Sequence, residues 1–233
     1  MKPRPLAVVP LGDCGAYVEF SRTLDLEINA FVQRLGTAVE AARPPMLRDI
    51  VPAFGGLALH FDPDFDGDVL EAARTLVERC LKAGVPDARG AGRLVEVPVC
   101  YEPQFALDLE DVSQKTRLPK DEIGQLHAAR EYRVLMVGFA PGHGYLWGLD
   151  AALAVPRRAN PRPEVPAGSV AIANEQTVVY PYAISGGWSV IGRTPLRIFD
   201  ASRAEPSLFL AGDRVRFHAI DAAEFRRLAE AGG

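Results

Sequence analysis

The chain has 233 residues, of which 48% are hydrophobic and 24% charged, and its formal net charge at pH 7 is −4. This composition is typical of a globular protein with one large or two modest domains. The slight negative charge gives no overall attraction to nucleic acid or to anionic membranes. No apolar run approaches the ~20 residues that a membrane-spanning helix needs. The proline-broken N-terminal run is too short for a signal peptide, and three widely separated cysteines are typical of reduced thiols, so we expect a cytoplasmic protein.

The N-terminal part of the chain is expected to fold as a unit of its own. Residues 5–20 contain two apolar runs separated by a Gly-Asp turn, which predicts a β-hairpin. Apolar residues spaced by three and four predict amphipathic helices over residues 24–42 and 68–84, with two further short strands over residues 49–63 between them. The order ββαββα predicts a two-layer sandwich, in which both helices cover one face of a four-stranded antiparallel sheet.

A second unit follows a linker predicted at residues 85–93, which contains proline, glycines and charged residues. We therefore place an N-terminal α/β domain at 1–88 and a second domain at 93–233. Short β-rich runs separated by proline and glycine turns predict a closed barrel or a sandwich. Two short helices are expected within residues 107–130, and a last helix is capped by Asp221.

The chain contains none of the common catalytic signatures. We find no phosphate-binding G-x-x-x-x-G-K-[ST] loop, no G-x-S-x-G elbow, no H-E-x-x-H and no C-x-x-C. No pair of titratable residues forms an evident self-contained catalytic set, which argues against a solitary enzyme. His127 and His143 have no third ligand nearby in the sequence, so no metal site is expected.

Glycine- and arginine-rich loops of the second unit are the remaining candidates for chemistry. The segment VGFAPGHGYLWGLD, residues 137–150, combines glycines that allow close backbone approach with aromatic side chains. The loop PRRANPR and the segment SGGWSVIGRT add arginines, whose forks match carboxylate and phosphate oxygens. The alternative is that the glycines mark barrel corners and the arginines are merely solvated; for Arg193 this alternative is a structural pair with Asp200.

Three long segments resemble the family of the 5-oxoprolinase B subunit, also called KipI or allophanate hydrolase subunit 1. They are YRVLMVGFAPGHGYLWGLD, VPRRANPRPEVPAGSVAIANEQTVVYP and GGWSVIGRTPLRIFD. With GDCGAYVEF and DIVPAFGGLALHFDP in the first unit, the resemblance covers nearly the whole chain. It implies an α+β protein, in which the two-layer N-terminal sandwich is followed by a cyclophilin-like β-barrel.

The resemblance also implies a function. Family members work with a second barrel-bearing subunit, of the C-subunit or allophanate hydrolase subunit 2 type, and with a third, metal-dependent subunit. Together they open 5-oxoproline to glutamate at the expense of ATP. Other members are allophanate hydrolase subunits, and one inhibits a sensor histidine kinase. Three hypotheses stay open: a non-autonomous enzyme subunit, a kinase inhibitor, and a stand-alone binder of a small carboxylate. ATP would act in the assembled complex, and this chain shows no metal or organic cofactor of its own.

The resemblance carries over candidate substrate-binding residues but assigns no catalytic step. The sequence departs from the family pattern at His143-Gly144, Asn174-Glu175, Val178 and Ile184-Ser185, which weakens the assignment of a particular substrate because pocket residues define the substrate. The candidates are His127, Gly138, Phe139, Pro141, Gly142, His143, Arg157, Arg158, Gln176, Gly187, Trp188 and Arg193.

Overall fold

The computed structural model describes residues 3–85 and 92–231. The chain folds as two units, Met1–Ala91 and Gly92–Gly233. The linker predicted at 85–93, and the domain ends placed at 88 and 93, lie largely outside the described residues. No helix in the described part of the chain is long and apolar enough to cross a membrane.

The first unit has the predicted ββαββα order. Its four strands form one antiparallel sheet in the order β1-β2-β4-β3. The elements are β1 (Ala7–Pro10), β2 (Gly15–Glu19), α1 (Leu26–Ala41), β3 (Leu47–Pro52), β4 (Gly56–Phe61) and α2 (Val69–Ala83).

Both helices of this unit begin at an aspartate. The Asp25 carboxylate accepts from the backbone N–H groups of the first turn of α1, and Asp68 does the same for α2. Helix α2 ends at Gly84, whose φ of 98° disfavours a residue with a Cβ atom. Leu24 precedes the cap and stays exposed, so the helix predicted to start at residue 24 starts two residues later. The buried helix residues that pack on the sheet include Phe31, Leu35, Val39, Ala73, Leu76, Val77 and Cys80.

The second unit is a closed seven-stranded barrel with the order β10-β7-β6-β13-β5-β12-β9. Strands β5 and β13 pair in parallel, and the other neighbours in the barrel are antiparallel. Strands β8 and β11 form a separate antiparallel ribbon. The elements are β5 (Leu94–Cys100), α3 (Leu109–Thr116), α4 (Lys120–Ala128), β6 (Glu131–Val137), β7 (Gly144–Trp147), a 3-10 turn (Ala151–Leu153), β8 (Arg162–Val165), β9 (Ser169–Ala173), β10 (Gln176–Val179), β11 (Ile184–Gly186), β12 (Ser189–Arg193), β13 (Arg214–Ile220) and α5 (Ala222–Ala231).

One part of the barrel wall is buried on both faces. Alternate residues of β9, such as Val170 and Ile172, point into the main core, while Ala171 and Ala173 belong to a smaller core on the other face. The smaller core also contains Val165 of β8, so the ribbon covers this wall from outside. We call the side of β7, β9, β10 and β12 that bears this smaller core the outer face. The predicted α+β fold class, a sandwich followed by a barrel, is confirmed.

Candidate binding site on the outer face of the barrel

Three aromatic rings contact the ring of His143, which directly precedes β7. The His143 ring centroid lies 5.4 Å from that of Phe139, 5.1 Å from that of Tyr145 and 5.4 Å from that of Tyr180. All three contacts are edge-on, with interplanar angles of 67–75°, an arrangement that aromatic rings prefer to face-to-face stacking. The rings therefore support one another, with His143 and Tyr180 buried at 2% and 1% exposure and Phe139 outermost.

The line of rings continues to a tryptophan and ends at an arginine. The centroids of Tyr145 and Trp188 are 6.1 Å apart, and the Arg157 guanidinium carbon lies 5.5 Å from the Trp188 centroid. At that distance the cation is attracted to the ring face. We call the six residues of this line the outer-face group: Phe139, His143, Tyr145, Arg157, Tyr180 and Trp188.

The loop between β6 and β7 places the first two members of this group. Gly142 has a φ of 80°, and a Cβ atom there would lie 2.8 Å from the Phe199 Cβ. Glycine at this position thus allows both the left-handed backbone and the close approach. The His143 N–H donates to the Ala140 carbonyl at 3.0 Å, and Phe139, with a φ of 72°, is 66% exposed. This turn, which contains Pro141, therefore exposes the Phe139 ring and buries the His143 ring.

His143 carries an unused polar atom. Its side chain is only 2% exposed, and its Nδ1 has no hydrogen-bond partner among the described residues. Burial lowers the pKa of His143 to about 4, so the ring is neutral at pH 7. A buried polar atom without a partner is costly. Because the atom itself is buried, a ligand could bond it only after the neighbouring rings moved.

A buried carboxylate holds the arginine loop against β12. Asp108, at the start of α3, is 3% exposed and accepts two hydrogen bonds of 2.7 Å from Arg162 and one from Arg158. It also accepts from the Val190 backbone N–H at 2.8 Å, and the Arg158 backbone N–H donates to the Gly187 carbonyl at 2.8 Å. Arg158, predicted as a substrate-binding residue, is thus committed to Asp108.

The adjacent arginine is available. Arg157 is exposed, and among the described residues no carboxylate pairs with it and its contact is the Trp188 ring. Asp108 binds Arg158, which follows Arg157 in the chain, and the backbone of Val190, which lies two residues after Trp188. Asp108 therefore fixes the position of Arg157 relative to Trp188. An oriented guanidinium beside an indole can bind a carboxylate through parallel hydrogen bonds.

Gln176 and Arg193 are two further predicted candidates that lie outside the outer-face group. Gln176 begins β10 opposite Ala173 and Trp147 and is half-buried. Its even spacing from Tyr180 places it on the outer face, nearer the opposite end of the strand. Arg193 ends β12 and donates from Nε to the Ala167 carbonyl at 2.7 Å. Arg193 is not paired with Asp200, which the alternative interpretation had proposed.

His127 lies in the barrel interior. It is fully buried, and its pKa is lowered to about 3 by burial. Its Nδ1 is 2.8 Å from the Tyr101 hydroxyl and its Nε2 is 3.0 Å from the Thr177 hydroxyl, which itself donates to the Ala171 carbonyl. These contacts join α4 to β10 and leave neither ring nitrogen free for a solute. Without opening of the fold, His127 does not reach the outer-face group.

The outer-face group can recognise a ligand but contains no strong nucleophile. Its members offer ring faces, a guanidinium and a neutral imidazole, and burial raises the pKa of the Tyr145 and Tyr180 hydroxyls. The group includes no carboxylate, thiol or amine. In the described residues, no cluster of three or more His, Cys, Asp or Glu could hold a metal ion. What the group offers a ligand is an exposed guanidinium beside aromatic rings that are partly or fully buried.

Comparisons with known proteins place this chain in a family. Residues 6–209 match the family model described as "Carboxyltransferase domain, subdomain C and D". The B subunit of 5-oxoprolinase from Bacillus subtilis (strain 168) is 36% identical over 228 residues, which cover 94% of this chain and 95% of that protein.

Two solved structures show the same fold. The crystal structure of TTHA0988 superposes with a TM-score of 0.77 at 38% identity, covering 89% of this chain but only 40% of that longer chain. The K. lactis urea amidolyase superposes with a TM-score of 0.74 at 16% identity, covering 98% of this chain and 16% of the amidolyase. At that identity the similarity concerns the fold alone.

Proposed function

Because the chain belongs to the carboxyltransferase domain, subdomain C and D family, we propose that it is the B subunit of a 5-oxoprolinase. In this proposal it binds 5-oxoproline within a complex that uses ATP to open the cyclic amide to glutamate. The end-to-end similarity to the B. subtilis protein supports the proposal, since 95% of that protein is covered.

The outer-face group is the observation that carries the proposal. 5-Oxoproline is a small ring with one carboxylate and one amide. Arg157 supplies the fork for the carboxylate, and the half-buried Tyr145 ring contacts the ligand beside Trp188, which is only 6% exposed. In this proposal the exposed Phe139 ring moves aside, and the buried, unpartnered Nδ1 of His143 then bonds the amide, at its N–H or at its carbonyl according to the tautomer. Each group of this ligand thus has a partner.

The same group lacks the means to break the amide bond. Its tyrosines and neutral histidine bind and orient, which lowers the entropic part of a barrier. Water activation and the use of ATP are left to other subunits: a second barrel subunit of the C-subunit type and a third, metal-dependent subunit. The much longer TTHA0988 chain supports this division, because a unit like this one is joined there to further sequence.

Reconstitution tests the proposal. Purified chain is mixed with ATP, Mg²⁺, 5-oxoproline and the candidate partner subunits of the same organism, and glutamate is measured. We expect no glutamate from this chain alone and steady glutamate production from the full mixture. Allophanate, which also carries an amide and a carboxylate, is assayed in parallel. Turnover of allophanate without turnover of 5-oxoproline would assign the chain to an allophanate hydrolase instead. Turnover by the chain alone would refute the subunit role.

A further inference from the structure

A groove of about 680 Å³ lies at the end of the barrel where β12 stops. Arg193, the loop that follows it and α5 form its walls, and none of its lining residues belongs to the outer-face group. The volume is within the range of small-molecule sites, roughly 300–1,000 Å³. The groove is therefore large enough for a ligand of its own.

The guanidinium of Arg193 lines this groove in a fixed orientation, and only one of its three nitrogens has a hydrogen-bond partner among the described residues. Its Nε donates to the Ala167 carbonyl at 2.7 Å, which fixes the plane of the fork. Among the described residues, no acceptor bonds its two terminal nitrogens, and the side chain is half-buried. A half-buried cation with two free donors, already oriented, is suited to an anionic ligand.

The carboxylate in the same groove does not neutralise Arg193. Asp200 accepts hydrogen bonds from the Ser202 hydroxyl and backbone N–H, and it pairs with Arg197 at 3.3 Å and Arg203 at 3.6 Å. The Ser202 hydrogen bonds, with those of Arg197, lower the pKa of Asp200 to about 2. Asp200 is thus charged but already has two cationic partners, and the positive charge of Arg193 remains unbalanced.

The rest of the groove is largely apolar. Phe225 of α5, 9% exposed, packs on Phe105 with centroids 4.3 Å apart and forms one wall. Leu196 and Phe199 lie along the loop, and Tyr182, 37% exposed, stands at the rim. A bare inorganic ion would leave these surfaces in contact with water. A ligand with an apolar body would cover them.

We propose that this groove is a second binding site, which takes a small organic anion: a carboxylate or phosphate on an aromatic or apolar body. Arg193 binds the charge through its two terminal nitrogens, and the phenylalanines contact the body. The site is separate from the outer-face group and binds with or without partner subunits.

The test uses the isolated chain and probes that separate charge from body. Benzoate and phenyl phosphate carry both features and distinguish the two anion chemistries, benzamide carries the body alone, and inorganic phosphate the charge alone. Binding is followed by NMR at the backbone amides of Thr194, Ala201 and Ala229, which line the groove, so that ligand in the outer-face group is not counted. We expect at least one aromatic anion to shift these amides, and benzamide and inorganic phosphate to bind at least about tenfold more weakly.

Two substitutions at one position and one control complete the test. Arg193→Ala is expected to weaken the aromatic anion at these amides by about tenfold or more, and Arg193→Lys to restore part of the affinity. The control Arg157→Ala should leave binding at these amides unchanged. The NMR spectrum of each variant reports its fold, and the Lys variant serves if the Ala variant does not fold. Equal binding by wild type and the Arg193 variants, or no shift with either anion, would overturn the proposal without bearing on 5-oxoproline turnover.

Discussion

Replacement of Asp108 by asparagine should destabilise the barrel unit substantially. The carboxylate is 3% exposed and accepts from Arg158, from both terminal nitrogens of Arg162 and from the Val190 N–H. Asparagine keeps one acceptor oxygen but turns its NH₂ toward guanidinium donors, leaving two cations without their anion. Loss of one partner of a buried ion pair costs about 3–5 kcal/mol. Because the arginine side chains are 27% and 24% exposed, we expect the lower end, about 3 kcal/mol.

Chemical and thermal unfolding measure this cost. For a protein of this length, about 3 kcal/mol corresponds to a fall in melting temperature of roughly 6–12 °C. The matched control is Asp111→Asn on the same helix, whose side chain is 41% exposed and pairs with Lys115 at 2.6 Å. An exposed pair of this kind contributes little, so the control should stay within about 0.5 kcal/mol of wild type. If Asp108→Asn behaved like the control, the carboxylate would not be what holds the arginine loop, and this reasoning would be wrong.

Two further substitutions test the buried histidine and the glycine loop. The pKa of His127 is about 3 in the folded protein and about 6.5 in the unfolded chain. The contribution of the neutral side chain to stability is therefore complete above pH 6.5. It falls as the pH drops toward 3, by at most ~1.4 kcal/mol per pH unit. Urea unfolding from pH 7 to 4.5 should therefore show a shallower pH dependence for His127→Gln than for wild type; parallel profiles would contradict this. Gly142→Ala combines a φ of 80° with a Cβ 2.8 Å from the Phe199 Cβ and should cost about 1–3 kcal/mol. At Gly12 the φ is 66° and no atom lies within 4 Å of the added Cβ, so Gly12→Ala has the backbone strain alone and should cost less. If both variants lost the same free energy of unfolding, the contact with Phe199 would contribute nothing to the cost at Gly142.

Local signals in the sequence were sufficient for the first unit. Apolar spacing and the terminal Gly84 act within a few residues of one another, so both helices could be predicted, although the first was started two residues too early. The ribbon of β8 and β11 was not predicted. Proline and glycine turns marked the ends of the short β-rich runs, but short strands carry no signal for which partner they pair with or which wall they cover.

The candidate site was predicted only in part. Glycines and aromatics marked the loop with Phe139 and His143, but Tyr145 and Tyr180 were not singled out, because alternation does not tell the barrel interior from the ribbon-covered face. Asp108 was also missed. In the sequence it is an ordinary acidic residue at the start of a helix. Its partners lie 50, 54 and 82 residues further along the chain, so no local pattern connects them. His127 came from the resemblance alone, which did not show that it faces the interior.

The most direct measurement of the central claim is kcat/KM for 5-oxoproline in the reconstituted complex, with wild-type chain and with Arg157→Ala. If Arg157 binds the substrate carboxylate, its loss removes a charge-assisted hydrogen bond and kcat/KM should fall about ten- to a hundredfold. The melting temperature should change little, because Arg157 is exposed and contacts Trp188 without an ion pair among the described residues. Unchanged kcat/KM in a complex that turns over 5-oxoproline would contradict the assignment of the outer-face group as the substrate site.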